Sequence, residues 1–185
     1  MVLYIKNMVC PRCIVAVSKV LSDIGVKTIQ VNLGEVVLTK DLNEKQKSKL
    51  NNKLEELGFE LLDDNRKKQI EKIKSIIIQN IHYSDEIKHS FSEILANELC
   101  KEYSQLSKLF SSTEGITIEQ YIIQQKIEKV KELLIYNETN LSEIAFKLAY
   151  SSVAHLSAQF KKITGLTPSQ FKLQGIRLRK PIDKL

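Results

Sequence analysis

Residues 141–171 read LSEIAFKLAYSSVAHLSAQFKKITGLTPSQF, and the remainder of the chain is parsed outward from them. Ile144, Ala145, Leu148 and Ala149 recur at the spacing of one buried helical stripe. Asn140 or Ser142 can cap that helix, because each offers a side-chain oxygen to unpaired backbone N–H groups of the first turn. Tyr150-Ser151-Ser152 breaks the pattern, and Val153, Leu156, Phe160 and Ile163 restart it at steps of three, four and three. Gly165 stands where a helix end calls for a left-handed residue, and Thr167-Pro168 reads as a cap followed by proline at the first helical position. Ala145 is small where the two helices must cross closely. With its apolar stripe spent on the core, the second helix presents Ala154, His155, Ser157, Ala158, Lys161 and Lys162 outward. Two short helices that project a small, polar face form a helix-turn-helix, whose second helix fits a major groove.

The string SEIAFKLAYSSVAHLSAQFKKITGLTPSQFK closely resembles the signature of AraC-type bacterial transcription regulators. One position departs from it: the usual turn glycine is Ala149 here, a change expected to cost turn geometry but not the fold. The resemblance implies a domain with two helix-turn-helix motifs, and a degraded copy precedes the first-quoted stretch. Ile94, Leu95, Ala96 and Leu99 line one helix; Leu106, Leu109 and Phe110 line the next. Ala96 to Phe110 spans 14 residues and Ala145 to Phe160 spans 15, a loose internal repeat. In this copy Cys100 replaces the turn glycine and Glu102 the usual capping serine. Cys100 is expected to be a small buried hydrophobe. Between the motifs, Thr117 and Gln120 form a capping box, with Ile116 and Tyr121 as its staple. The helix that follows, Ile118 to about Tyr136, would run roughly 28 Å at ~1.5 Å per residue. That is close to one DNA turn of ~34 Å, so it can hold two recognition helices toward successive major grooves.

Charge is unevenly placed. The 185-residue chain carries a formal +6, yet residues 1–64 sum to zero, residues 65–143 to −1, and residues 144–185 to +7. The positive excess therefore lies on the second motif and on Arg177, Arg179, Lys180 and Lys184, which points to a polyanion such as double-stranded DNA. No run approaches the ~18–20 apolar residues of a membrane span, so no membrane is expected as a partner. The start, MVLYIKNMVC, does not read as a signal peptide, and three cysteines argue for a reducing cytoplasm over a disulfide framework.

Residues 1–62 alternate strand and helix signals. Val2 to Lys6 is a short β-rich run. Residues 14–24 place Ile14, Val17, Leu21 and Ile24 on one helical face, with Gly25 as the stop. Ile29, Val31 and Leu33 alternate toward one side of a strand, Gly34 turns the chain, and Val36 and Leu38 point inward from its hairpin partner. Asn43 with Gln46 is a capping box, Leu50, Leu54 and Leu57 line a second helix ended by Gly58, and Phe59 to Leu62 is a last strand. The order βαββαβ predicts a ferredoxin-like sandwich. Asp63-Asp64-Asn65 is the expected boundary, dividing the chain into residues 1–64 and 65–185. Residues 66–82 then read as a helix with Ile70, Ile73, Ile77 and Ile81 on a stripe, and Tyr83 to Ser90 as a connection.

Met8-x-Cys10-x-x-Cys13 lies between the first strand and the first helix. Two thiols at that spacing can close on one ion, and a helix start favours the thiolate. Two sulfurs are too few for tetrahedral zinc and suit a soft ion of low coordination, above all Cu(I). A redox dithiol, or a loop that binds nothing, fits the same residues. The segment resembles the heavy-metal-associated domain of copper chaperones and copper ATPases. In that family's Gly-Met-x-Cys-x-x-Cys motif, Asn7 stands for the glycine while Met8, Cys10 and Cys13 match, and Gly58-Phe59 matches its Gly-aromatic pair. The resemblance implies a metal site at Cys10 and Cys13, with Met8 packed under the loop.

His82, His89 and His155 are far apart and lack partners at catalytic or zinc spacing, so no active site is expected and the chain does not read as an enzyme. The expected architecture is α+β: a ferredoxin-like domain followed by an all-α domain with two helix-turn-helix motifs. The expected function is a cytoplasmic, sequence-specific DNA-binding transcription regulator that responds to a soft metal ion or thiol chemistry, with the transcription machinery as a further partner. By position in the family, the base-facing residues are Ser104, Ser107 and Lys108 in the first motif, then Ala154, His155, Ser157 and Ala158 in the second. Lys161 and Lys162 fit phosphate contact, which sets affinity and register. Two other readings stand beside it: a copper chaperone whose helical domain is a docking module, and a regulator whose first domain only mediates dimerisation.

Overall fold

The computed structural model describes residues 1–62, 65–87, 89–136, 139–174 and 182. The expected boundary residues Asp63 and Asp64, and the basic tail Arg177, Arg179, Lys180 and Lys184, lie outside these. The chain is mostly helical with one small sheet, and it divides into two compact units, Met1–Ser75 and Ile76–Leu185.

The first unit runs β1 (Val2–Lys6), α1 (Pro11–Asp23), β2 (Thr28–Asn32), β3 (Glu35–Leu38), α2 (Glu44–Glu56) and β4 (Glu60–Leu62). Its strands pair antiparallel in the order β2-β3-β1-β4, so β1 is central, with Leu3 opposite Val36 and Ile5 opposite Leu61. Leu3, Ile5, Val36 and Leu38 are buried in one core with Val17 and Leu21 of α1 and Leu50 and Leu54 of α2. Each such side chain stabilises the fold by about 1.5–3 kcal/mol on full burial. The expected capping box on α2 is present, Asn43 Oδ1 accepting from Gln46 N at 2.8 Å.

Three local expectations change here. Helix α1 begins at Pro11, three residues before the apolar stripe, because proline needs no N–H partner at a first helical position; Cys10 becomes its N-cap residue. Ile29, expected to point inward, is 70% exposed, because the pairing slips between Thr28 and Gln30 and leaves Ile29 as the extra residue of a bulge. Leu57 is exposed because it caps α2 beyond its buried stripe.

Helix α3 (Asn65–His82) buries Ile70, Ile73, Ile77 and Ile81, as their spacing predicts. The first unit extends to Ser75, past the expected 64/65 boundary, because the first turns of α3 engage the sheet. Lys72 Nζ lies 3.2 Å from the Glu35 carboxylate and 5.0 Å from the centre of the Tyr4 ring. Ser75 approaches Gly34 so closely that a Cβ on Gly34, whose φ is +74°, would stand 2.6 Å from Ser75 Oγ.

The second unit contains, after the end of α3, α4 (Phe91–Leu99), α5 (Tyr103–Glu114), α6 (Ile118–Tyr136), α7 (Leu141–Lys147), α8 (Val153–Thr164) and α9 (Pro168–Gln174). Helix α6 is its axis. It meets α5, α8 and α9, and it is buried on several sides through Tyr121, Ile122, Gln125, Ile127, Val130 and Lys131. Its polar interior residues are paired: Gln125 Oε1 lies 3.0 Å from His82 Nε2, and Glu128 is hydrogen-bonded to Lys131. Two aromatic contacts hold the flanking helices, Phe110 against Tyr121 at 5.6 Å and Phe160 against Phe171 at 5.5 Å. Asn140, not Ser142, caps α7, in a capping box with Glu143.

Cys100 and Ala149 do not join the core. Both are exposed, with φ of 50° and 51°, because each ends its helix in the left-handed conformation that a tight turn requires. Ile163 is 48% exposed, since the buried stripe of α8 ends at Phe160. Among the described residues no helix is long and apolar enough to cross a membrane.

Candidate nucleic-acid interface and cysteine loop

Helices α5 and α8 are two versions of one device. Each has 12 residues and ends on a left-handed glycine, Gly115 or Gly165. Each is followed by a Thr–Gln capping box, Thr117 with Gln120 and Thr167 with Gln170. The burial of residues 101–110 repeats position by position in residues 151–160. Leu106 and Phe110 match Leu156 and Phe160 as buried residues, while Ser104 and Lys108 match Ala154 and Ala158 as exposed ones. Of the residues expected at DNA, Ser104, Lys108, Ala154, His155, Ala158, Lys161 and Lys162 are exposed, and Ser107 and Ser157 are half-buried at the rim of the same faces.

The two copies differ at their turns. Cys100 to Glu102 joins α4 to α5, whereas Leu148 to Ser152 joins α7 to α8, two residues longer. Ser152 Oγ accepts a hydrogen bond from His155 N at 3.1 Å and so caps α8. Glu102 supplies no side-chain cap to α5.

Helices α5 and α8 are each also tied to α6 through a tyrosine. The Tyr103 hydroxyl donates to the Glu119 carboxylate, which holds Glu119 below its ordinary range; burial, then Glu119 itself, pushes the Tyr103 phenol up. On the other side, Lys126 Nζ stands 5.1 Å from the centre of the Tyr150 ring. The Tyr150 hydroxyl donates to Gln159 Oε1 at 2.7 Å, and its ring meets His155 edge-on at 5.4 Å. Burial raises the Tyr150 phenol and lowers the Lys126 ammonium. Ser151 Oγ lies 3.0 Å from His155 Nδ1. None of Tyr103, Glu119, Lys126, Tyr150, Ser151 or Gln159 stands out in the sequence as a site residue; the only signal is a tyrosine beside each turn.

In the first unit, Cys10 Sγ and Cys13 Sγ lie 3.3 Å apart and both residues are half-buried. Asn7 adopts φ 72°, which explains why a glycine suits this position, and its Nδ2 donates to Gly58 O at 2.9 Å. Met8 is 2% exposed and part of the core, with Phe59 buried in the same cluster. Burial pushes the Cys13 thiol up, and the neighbouring Cys10 adds to this. Two thiols this close fit a soft ion held by sulfur alone. Among the described residues no group of three His, Cys, Asp or Glu could hold a metal, so the pair does not extend to a tetrahedral zinc site.

Comparison with known proteins places the likeness in the helical part. Residues 95–174 match a family model described as a helix-turn-helix domain. A probable transcriptional regulator, LumQ of Photobacterium leiognathi, is 27% identical over 106 residues, which is 57% of this chain and 42% of LumQ. An uncharacterized HTH-type transcriptional regulator, YtdP of Bacillus subtilis, is 29% identical over 57% of this chain and 14% of its own length. The chain thus spans less than half the length of these relatives. Among solved structures, the C-terminal domain of AraT, a response regulator from Geobacillus stearothermophilus, shares the fold. The TM-score is 0.52 at 23% identity, over 64% of this chain and 95% of that one.

Proposed function

We propose, on the premise that residues 95–174 form a helix-turn-helix domain of the AraC type, that the chain is a sequence-specific DNA-binding transcription regulator. The observation that carries this reading is the repeat of one exposure pattern on α5 and α8, both mounted on α6. With 19 residues, α6 has a length of roughly 28 Å, which suits two helices reaching successive major grooves on one side of a duplex. Ser104, Ser107 and Lys108 face bases from the first helix; Ala154, His155, Ser157 and Ala158 face them from the second. Lys161 and Lys162 meet phosphate.

Selection of the full chain from a random DNA pool tests the reading. His155→Ala and Ser157→Ala each alter the preferred base pairs, by roughly 1–3 kcal/mol per lost contact. Lys161→Ala and Lys162→Ala weaken all sequences alike. An unchanged consensus in both His155→Ala and Ser157→Ala overturns the assignment.

A second reading concerns residues 1–64, and the close pair of half-buried thiols favours it. The β-α-β-β-α-β order and the strand order β2-β3-β1-β4 support a ferredoxin-like domain. In this reading Cys10 and Cys13 bind Cu(I) or another soft ion, and the domain makes the regulator responsive to it. The ion supplies a charge and a cross-link at the loop; Asn7, Met8 and Phe59 hold the loop in place. Titration of reduced protein with Cu(I) against a competing chelator decides it, with equal affinity in the Cys10→Ser, Cys13→Ser double variant as the outcome that sinks it.

A further inference from the structure

We propose that Tyr150 and Ser151 are positioning residues that fix the His155 imidazole so that its Nε2–H alone reads a hydrogen-bond acceptor on a base edge. The inference rests on the DNA-reading assignment above and deepens it at one residue. Two contacts converge on that ring and a third holds its backbone. Ser151 Oγ is 3.0 Å from Nδ1, Ser152 Oγ holds the residue's backbone N–H at 3.1 Å, and the Tyr150 ring meets the imidazole edge-on at 5.4 Å with 85° between planes. Tyr150 is itself immobilised, with its hydroxyl on Gln159 of α8 and Lys126 of α6 over its ring. Its backbone N–H adds a 2.8 Å bond to Ala145 O, so the ring is anchored to the preceding helix as well.

The chemistry follows from the bond at Nδ1. A neutral imidazole carries one N–H, and the nitrogen engaged as acceptor leaves the other as donor. A serine hydroxyl that donates to Nδ1 selects the Nε2–H form. No described residue hydrogen-bonds Nε2, and His155 is exposed on the outer face of α8. A fixed donor there matches the major-groove acceptors, N7 and O6 of guanine, N7 of adenine or O4 of thymine, and is mismatched with the amino group of cytosine. The residue identities of the second turn make this possible. Ser151 lies four residues before His155, and the matching residues of the first motif are Lys101 and Gln105, which offer neither the hydroxyl nor the imidazole. The second motif therefore carries a preset reader that the first lacks.

The test uses the full chain in two measurements. Imidazole ¹⁵N spectra without DNA give the His155 tautomer: wild type and Ser151→Thr show predominantly Nε2–H, and Ser151→Ala and Tyr150→Leu move toward the solvent-averaged mixture. Random-pool selection then compares base preferences. Ser151→Ala lowers discrimination roughly threefold to tenfold, the size of one neutral hydrogen bond, at the same base pair that His155→Ala relaxes. It adds nothing in the Ser151→Ala, His155→Ala double variant, and Ser151→Thr restores wild-type preference. A wild-type tautomer of Nδ1–H, or a Ser151→Ala consensus unchanged where His155→Ala relaxes it, overturns this proposal and leaves the DNA-reading assignment intact. A wild-type pool with no consensus overturns both.

Discussion

Ala149 and Cys100 occupy a backbone region that costs a side chain about 1–2 kcal/mol, and each does so at the turn of a helix pair. Glycine removes that strain but gains about 0.4–1 kcal/mol of unfolded-state entropy, so the strain prevails narrowly. Ala149→Gly and Cys100→Gly should each stabilise the second unit by about 0.5–1 kcal/mol, read as a higher urea midpoint. A lower midpoint for both would mean that the turns are not strained. Asn7 meets the same constraint differently. Its side chain tolerates positive φ and bonds Gly58 O, so Asn7→Gly should stay near wild type while Asn7→Ala loses about 1–2 kcal/mol. Thermal unfolding that ranks alanine above glycine at this position would contradict the account.

Helix ends and inter-helix ties separate α5 from α8. Helix α8 has a serine cap and α5 has none, so Glu102→Ser should stabilise by about 0.5–1 kcal/mol and Ser152→Ala should destabilise by about 1 kcal/mol. The tie between α5 and α6 is sensitive to pH. Glu119 has a folded-state value below its ordinary 4.5, chiefly through the hydrogen bond from Tyr103. Its contribution to stability is therefore complete above pH 4.5 and is lost as pH falls through the lower folded value. Wild type should lose stability more steeply than Glu119→Gln across that acid window, measured by unfolding at a series of pH values. Parallel profiles would mean that the Tyr103 bond does not outlast solvation at this exposed edge.

For the whole chain, if it binds DNA as proposed, the net +7 over residues 144–185 makes that affinity a salt-dependent quantity. The logarithm of the association constant should fall linearly with the logarithm of salt concentration, and Lys161→Ala should flatten the slope by about 0.9 if that residue neutralises one phosphate. An unchanged slope would remove Lys161 from the backbone contacts. If soft-metal binding regulates the chain, linkage demands reciprocity: any change that Cu(I) makes in DNA affinity is matched by DNA in Cu(I) affinity. Equal copper affinity with and without bound DNA would leave a metal site without a sensing role. If Cys13 takes up a soft ion as proposed, its thiol, raised by burial, must give up a proton, and Cu(I) affinity should weaken as pH falls.

The sequence by itself determined the features governed by neighbours three or four residues away. The stripe on α3, the limits of α6 and the capping boxes at Asn43 and Thr117 follow from helical period and cap chemistry, which act within a turn. Only the tertiary structure decided what depends on distant partners. Asn7 bonds a carbonyl 51 positions away, and the bulge at Ile29 exists because β3 pairs on either side of it. The first turns of α3 belong with the sheet because Glu35, Tyr4 and Gly34 receive them. Tyr150 joins Lys126, His155 and Gln159 only once α6 and α8 pack together. Periodicity states which face of an element is apolar; the packing of remote elements chooses which polar groups meet, and the seating of Lys126 over Tyr150 is of that second kind.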